Sequence, residues 1–404
     1  MPDSPITLEE YDPVEFSRDE LPETVSEELW EEHGSKIDVE FPTRKTRGKW
    51  ILKNKGYAGR IIIDSNWEFQ LEPKTSVNTI LGMLKYAYSL ESFDFQNRLY
   101  NADSLTEFFD GLAFMLAKGV LKRQQQGLHK NYVKREKQMS TVKGRIDFNK
   151  TTRRPWEAKP HVSYREITAD IDDNQILLWT LEKILSSDAP SEPTMQTVRR
   201  AYRPMASGVS LKSITAEDCT GREYRRLNQD YEQLHALCHL ILDTTIPTRN
   251  AGNKRMLPFI VDMARLYESF VAEWLSGHLP SGYSVQEQEH VDIGDSGRQY
   301  DVDLVFYFGS NAVAIADTKY KVPSEPATGD ISQVVAYAEA KGVQNAFLIY
   351  PETLENPINT QVGGIDVGTL TFGLEDDLQI EGERFLTDFN REVIMSYGLS
   401  PVTS

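Results

Sequence analysis

The apolar positions along the chain follow two rhythms, and the switches between them mark out the elements. From about 37 to 72 the period is close to two. Ile37–Phe41, Trp50–Leu52, Arg60–Ile63 and Trp67–Leu71 are short runs, with Gly56, Gly59 and Asp64–Asn66 as turns and Pro73 as a stop. That stretch predicts β-strands. Val77–Leu90 and Ser104–Gln125 shift to helical spacing. In the second, Phe108, Leu112, Met115 and Leu116 share one face, behind Ser104 and Glu107 at capping-box spacing. His129–Phe148 returns to strands around Lys143–Gly144–Arg145. Asn174–Leu185, Met195–Tyr202 and Glu223–Leu242 predict helices, with Ala189–Pro193 breaking the series.

The last third alternates. Helix Phe259–Leu275 precedes strands Tyr283–Glu289, Gln299–Phe308 and Ala312–Lys319. A helix at Ile331–Lys341, strand Asn345–Tyr350, a later strand and a helix near Gly382–Ser396 follow. Helix, three strands, helix, strand predicts an α/β layer with a mixed sheet. The polar stretch Pro247–Pro258 is the best boundary. The chain as a whole reads as α+β and multidomain. Residues 1–90 form an acidic lead-in, poorly ordered or partly helical to about 35, and a β-rich docking region. Residues 91–255 form a helical or mixed middle, and 256–404 an α/β domain.

Composition narrows the class. A length of 404 residues suits two or three domains, and 40% hydrophobic with 26% charged residues excludes a wholly disordered or collagen-like chain. No run approaches the roughly 18 uncharged apolar residues of a membrane span. The opening MPDSPITLEE lacks the basic and apolar regions of a secretory signal, and two cysteines make no disulfide framework. A cytoplasmic protein is expected.

The net charge of −17 argues against a simple DNA-coating protein, but its distribution is uneven. Residues 1–40 hold 14 Asp and Glu against Arg18 and Lys36. Residues 44–60 hold seven basic residues and no acidic one, and 118–159 hold 13 against Glu136, Asp147 and Glu157. Such stretches can contact phosphates or can be solvated edges.

The segment richest in chemistry is Tyr300–Lys321, YDVDLVFYFGSNAVAIADTKYK. Two apolar runs flank Gly309–Ser310–Asn311, a hairpin signal. A turn centred on Ser310 sets Asp303 opposite Asp317 and Asp301 opposite Lys319, all on one face. Cross-strand Cβ atoms stand about 4.5–5.5 Å apart. Two carboxylates so close among Val305, Tyr307, Val313 and Ile315 repel each other unless a cation is present. A hard divalent ion with oxygen ligands, Mg²⁺, resolves the conflict and suits phosphodiester hydrolysis, with Lys319 orienting water or offsetting developing charge. The bland alternative is a surface hairpin with charges on its wet side.

This constellation resembles the PD-(D/E)xK nuclease core, with Asp303 as first carboxylate and Asp317–Thr318–Lys319 as the D-x-K element. Asp301 is a rival for the first role, and Val302 stands where the motif name has proline. The resemblance implies a further acidic residue at Glu268, a Q-x-x-x-Y pair at Gln333 and Tyr337, and the Thr318 carbonyl as a metal ligand. More of the chain resembles the McrC family, the nuclease subunits of McrBC-type 5-methylcytosine restriction systems. The similar segments are Gly56–Ile63 with Phe69–Lys74, Leu81–Tyr86, Gly127–Tyr132, Lys143–Asp147, Tyr164–Leu177, Asp262–Val271 and the hairpin. In order, they span most of 55–350.

The resemblance implies docking of the N-terminal part in the pore of an McrB-type AAA+ GTPase hexamer, stimulation of GTP hydrolysis, and cleavage of double-stranded DNA by the C-terminal domain. The chain contains no G-x-x-x-x-G-K-[ST] loop, so GTP belongs to the partner. Two other functions compete: a non-catalytic adaptor on the motor, and a stand-alone repair nuclease. Intact Asp303, Asp317 and Lys319 weigh against the adaptor, and about 250 residues outside the core weigh against the repair nuclease. Other signals rank lower. His235, Cys238 and His239 share a helix face and could bind zinc, but read as packing. Cys219 reads as a plain thiol. Tyr86, Tyr88, Phe93 and Phe95 could stack bases, but read as core. Arg222, Arg225 and Arg226 read as the wet start of a helix.

Overall fold

A computed structural model of the chain describes residues 5–63, 67–90, 104–152, 156, 159–187, 190–245, 259–292, 299–375 and 377–394. The expected boundary at Pro247–Pro258, the aromatics Phe93–Phe95 and the turn Asp64–Asn66 lie outside the described residues. The chain divides into two compact units. One joins residues 1–105 to 259–404; the other holds 106–258.

The first unit opens with strands β1 (Ile6–Glu9) and β2 (Pro13–Phe16), helix α1 (Glu23–His33), and strands β3 (Ile37–Glu40), β4 (Trp50–Asn54), β5 (Tyr57–Ile62) and β6 (Glu68–Glu72), then helix α2 (Val77–Ala87). The acidic lead-in therefore carries two strands, against expectation. The cause is alternation: Leu8 is fully buried while Glu9 faces out, and β1 runs parallel to β6 in register Leu8↔Leu71. Strands β2, β4 and β3 form a separate antiparallel sheet.

The second unit holds α3 from Leu105 to Gln126, β7 (Asn131–Gln138), β8 (Arg145–Ile146), α4 (Phe148–Thr152), β9 (His161–Thr168), α5 (Asp172–Leu185), α6 (Glu192–Ala206) and α7 (Asp230–Thr244). Three strands make a small sheet in the order β7, β9, β8. Helix α7 starts at Asp230, so Arg222, Arg225 and Arg226 precede it rather than open it. Arg222 pairs with Asp173 at 2.6 Å, and Asp173 also meets His129 at 3.0 Å. The loop is tied down by these bonds rather than by helix formation.

Back in the first unit, β10 (Ile260–Asp262) and α8 (Met263–His278) replace the single helix expected from Phe259. Ile260 and Val261 pair with Gly59 and Ala58 of β5, and Asp262 caps the helix by accepting from the amides of Ala264 and Arg265. This pairing, with α2 packed on α8, ties the N-terminal region to the C-terminal one. The expected separation of 1–90 from 256–404 is therefore not the division the chain makes. Gly59 is needed there: its φ is +139°, and a Cβ would lie 2.2 Å from the Phe259 carbonyl oxygen.

The remaining elements are β11 (Tyr283–Asp292), β12 (Gln299–Phe308), β13 (Asn311–Thr318), α9 (Thr328–Lys341), β14 (Asn345–Tyr350), β15 (Asn359–Val362), β16 (Ile365–Thr371) and α10 (Leu378–Phe389), followed by a π turn over Asn390–Ile394. The six strands form one mixed sheet in the order β11-β12-β13-β14-β16-β15. The first three pair antiparallel, and β13, β14 and β16 run parallel. Every residue of β14 is buried, as a central parallel strand covered on both faces requires. One core cluster sets Val334, Tyr337 and Ala338 of α9 against Val305, Ile315 and Leu348. Elsewhere Phe306 meets Phe389 at 4.5 Å, and Trp274 meets Phe372 at 5.2 Å. Among the described residues no helix is long and apolar enough to cross a membrane.

Candidate active site

The hairpin of β12 and β13 positions the candidate carboxylates. A two-residue turn, Gly309–Ser310, sets Phe308 opposite Asn311. A bulge then shifts the register between Phe306 and Tyr307, so that Phe306, Val305 and Leu304 face Ala314, Ile315 and Ala316. The next step of that register brings Asp303 to the end of β13. There its Oδ2 accepts from the Thr318 amide at 2.9 Å and the Thr318 hydroxyl at 3.1 Å. Asp317 is 2% exposed, and its Oδ2 lies 2.6 Å from Lys319 Nζ. The Lys319 amide donates to the Ile349 carbonyl of the parallel neighbour β14 at 2.8 Å, which fixes the main chain beneath the ammonium.

Electrostatics follow from this crowding. Burial, then the Asp303 charge, pushes the Asp317 carboxyl up to about 6, against the pull of Lys319. Burial also raises Asp303, although two Thr318 hydrogen bonds and Lys319 oppose it. Burial works against the Lys319 charge, but the Asp317 hydrogen bond and its acidic neighbours outweigh it and raise the ammonium above its ordinary value. Glu268 on α8 is pushed up to about 7 by burial and then by Asp303, while a 3.1 Å hydrogen bond from Gln288 Nε2 pulls the other way. Three carboxylates thus titrate high at one place.

Some expected partners are not brought together. Asp301 is exposed and pairs with His290 at 2.6 Å; the Lys319 ammonium instead meets Asp317 and, at 3.7 Å, Asp330. The reason is local. Strand β13 ends at Thr318, and Gln288, the β11 residue between those facing Val302 and Leu304, has φ +47°. Val302 and Val305 both pack in the α9-side cluster, so strict alternation fails between them. Bulges of this kind re-aim side chains. Gln333 sits on α9 but donates to Tyr337 Oη at 2.6 Å, its hydrogen bond among the described residues. Among the described residues no three His, Cys, Asp or Glu groups are already close enough to form a ligand set for a metal ion.

Three further residues belong to this neighbourhood and were missed by sequence reasoning. Asp330 lies in the first turn of α9, three residues before Gln333. Gln288 holds Glu268. Tyr350, 1% exposed with a hydroxyl that has no hydrogen-bond partner among the described residues, follows Ile349. Burial, then the charges of Asp330 and Asp317, pushes its hydroxyl up to about 12.

The lower-ranked signals resolve as structure. His235 is fully buried, accepting from Tyr224 Oη at 2.9 Å and donating to the Asp173 carbonyl at 2.9 Å. Burial holds it near pKa 4, neutral, with both ring nitrogens used. Cys238 and Cys219 are buried free thiols.

Comparisons with known proteins bear on the chain as a whole. The type IV methyl-directed restriction enzyme EcoKMcrBC of Escherichia coli K12 is 24% identical over 261 residues, which cover 62% of this chain and 74% of that protein. The fold resembles a chain from the half-complex of Thermococcus gammatolerans McrB AAA+ hexamers with bound McrC. That match has a TM-score of 0.54 at 16% identity and covers 96% of this chain and all of the other. A family profile described as McrBC 5-methylcytosine restriction system component matches residues 52–351, and on that span the chain belongs to this family.

Proposed function

We propose that the chain is the Mg²⁺-dependent endonuclease subunit of an McrBC-type system, with a PD-(D/E)xK site built on Asp303, Asp317 and Lys319. The observation that carries the reading is the buried pair Asp303 and Asp317 beside Lys319, with Glu268 near enough that the Asp303 charge raises its carboxyl too. Acids that repel each other in a buried place fit a hard divalent cation, because it removes the repulsion. Asp303 and Asp317 would hold Mg²⁺, with the Thr318 carbonyl as a third oxygen. When bound, the ion supplies Lewis acidity toward a phosphate oxygen and lowers the pKa of a water.

The chain's own groups do the rest. The Thr318 amide and hydroxyl fix the orientation of Asp303. Lys319 stays protonated and can orient the attacking water or offset charge gathering on the phosphate. Glu268, whose carboxyl burial and the Asp303 charge raise, can take or release a proton. Gln333 has its own bond to Tyr337 and is assigned a supporting role on α9.

The partner in this reading is an McrB-type AAA+ GTPase hexamer, the substrate double-stranded DNA carrying modified cytosine, and the compartment the cytoplasm. The family match and the likeness to a chain of an McrB–McrC assembly support it. The test is cleavage of methylated and unmethylated plasmid by the purified chain, with and without an McrB-type partner, GTP and Mg²⁺. Cleavage that needs all of these and is lost in Asp317→Ala is the expected result. Cleavage without the partner would replace the reading by an autonomous nuclease. Faster GTP hydrolysis without cleavage would replace it by an adaptor.

A further inference from the structure

The Lys319 ammonium has two carboxylates in range rather than one. It touches Asp317 Oδ2 at 2.6 Å and stands 3.7 Å from Asp330 Oδ1. The first oxygen belongs to one of the two residues that would hold Mg²⁺. A divalent cation and an ammonium cannot both sit on it without strong repulsion. We propose that Asp330 is a positioning residue that takes over the Lys319 ammonium when a divalent cation occupies Asp303 and Asp317. The inference rests on the metal-site reading above.

The geometry makes the exchange short. The Lys319 main chain is held by the Ile349 carbonyl, so only side-chain rotation moves Nζ. A shift of about 1 Å turns the distant ion pair into a hydrogen bond. The side chains of Lys319 and Asp330 are 27% and 30% exposed, so the pair is partly screened from water and geometrically constrained. Asp330 stands in the first turn of α9, where helix amides favour an anion, and Ala327 at the N-cap supplies no side-chain cap. The lysine thus stays at the site in both states, released from the metal ligand without being lost to solvent.

The experiment is isothermal titration of the full chain with Mg²⁺, without DNA, for the wild type, Asp330→Asn, Lys319→Gln and the double variant. Melting in EDTA checks that each is folded. Asp330→Asn is expected to weaken Mg²⁺ binding about tenfold when Lys319 is present and less than about twofold when it is Gln. Equal weakening in both backgrounds would mean that Asp330 acts on the ion directly and would overturn the proposal. So would no weakening in either. Asp317→Asn tests the underlying reading separately. If the wild type shows no Mg²⁺ binding that this variant removes, the metal site itself is wrong and the inference falls with it.

Discussion

Asp317→Asn is a sharp test of the electrostatics, because it keeps the shape of the side chain and removes one charge. The Asp317 carboxyl sits at about 6 in the folded chain, against an ordinary 3.8, and is 2% exposed. A shift of about two units is worth about 3 kcal/mol at pH values where the carboxylate is charged in both states. The sign is fixed. The folded pKa is above the unfolded one, so this group's favourable contribution is complete below about pH 4 and is lost as pH rises through about 6. The variant does not pay that penalty, but its amide is a weaker partner for Lys319, which keeps Asp330. By linkage the variant's advantage over the wild type is about 3 kcal/mol larger at pH 8 than near pH 4, and it reaches that plateau once pH passes about 6. The assay is melting in EDTA from pH 4 to 8, repeated with Mg²⁺. Mg²⁺ should stabilise the wild type and not the variant, so their order narrows or reverses as the ion is added. A difference in EDTA that is independent of pH would refute the reasoning.

Three other substitutions probe what surrounds the site. Gly59→Ala should cost about 3 kcal/mol or more, read as a lower urea midpoint, because φ is +139° and the new Cβ would meet the Phe259 carbonyl oxygen. Asp173→Ala should cost about 2–4 kcal/mol in the second unit by stranding Arg222 and His129. Burial resists the Asp173 charge, but the Arg222 and His129 hydrogen bonds win and lower its carboxyl, so the difference should persist at neutral pH and fade as pH drops below about 4. Thr318→Val should cost about 1 kcal/mol in melting, since the amide bond to Asp303 survives and only the hydroxyl bond is lost.

The hairpin was legible because a period-two pattern broken by Gly309–Ser310 leaves little freedom of register. The turn's centre lies half a residue before the expected one, which puts the pairing off by one, yet the bulge restores the register that sets Asp303 beside the end of β13. Nothing in the sequence announces that bulge, nor the end of β13 at Thr318 and the positive φ of Gln288, and the latter two are why Asp301 does not face Lys319. Asp330 was invisible for another reason. It reaches Lys319 only through the packing of α9 on the sheet, which a helical pattern does not reveal. The strand-to-helix switch at Asp262 was readable in principle. Ile260 and Val261 are β-branched, and an aspartate at N-cap spacing follows them, but apolar residues on both sides of Asp262 hid the change. The joining of 1–105 to 259–404 lies beyond local pattern, because strand pairing ignores distance along the chain.

That joining has a consequence for synthesis. Strand β5 leaves the ribosome early, while its partner β10 follows only after residues 106–258. At about 5–20 residues per second, the delay is about 10–40 s. For that interval the Tyr57–Ile62 edge, with Ile61 among its apolar side chains, is an open template beside an unfinished core. The 106–258 segment, which makes a compact unit of its own, has meanwhile emerged in full. The nascent chain therefore passes through a window in which its middle is complete and its beginning still lacks a strand partner. Translation speed across that middle sets how long the β5 edge stays unpaired.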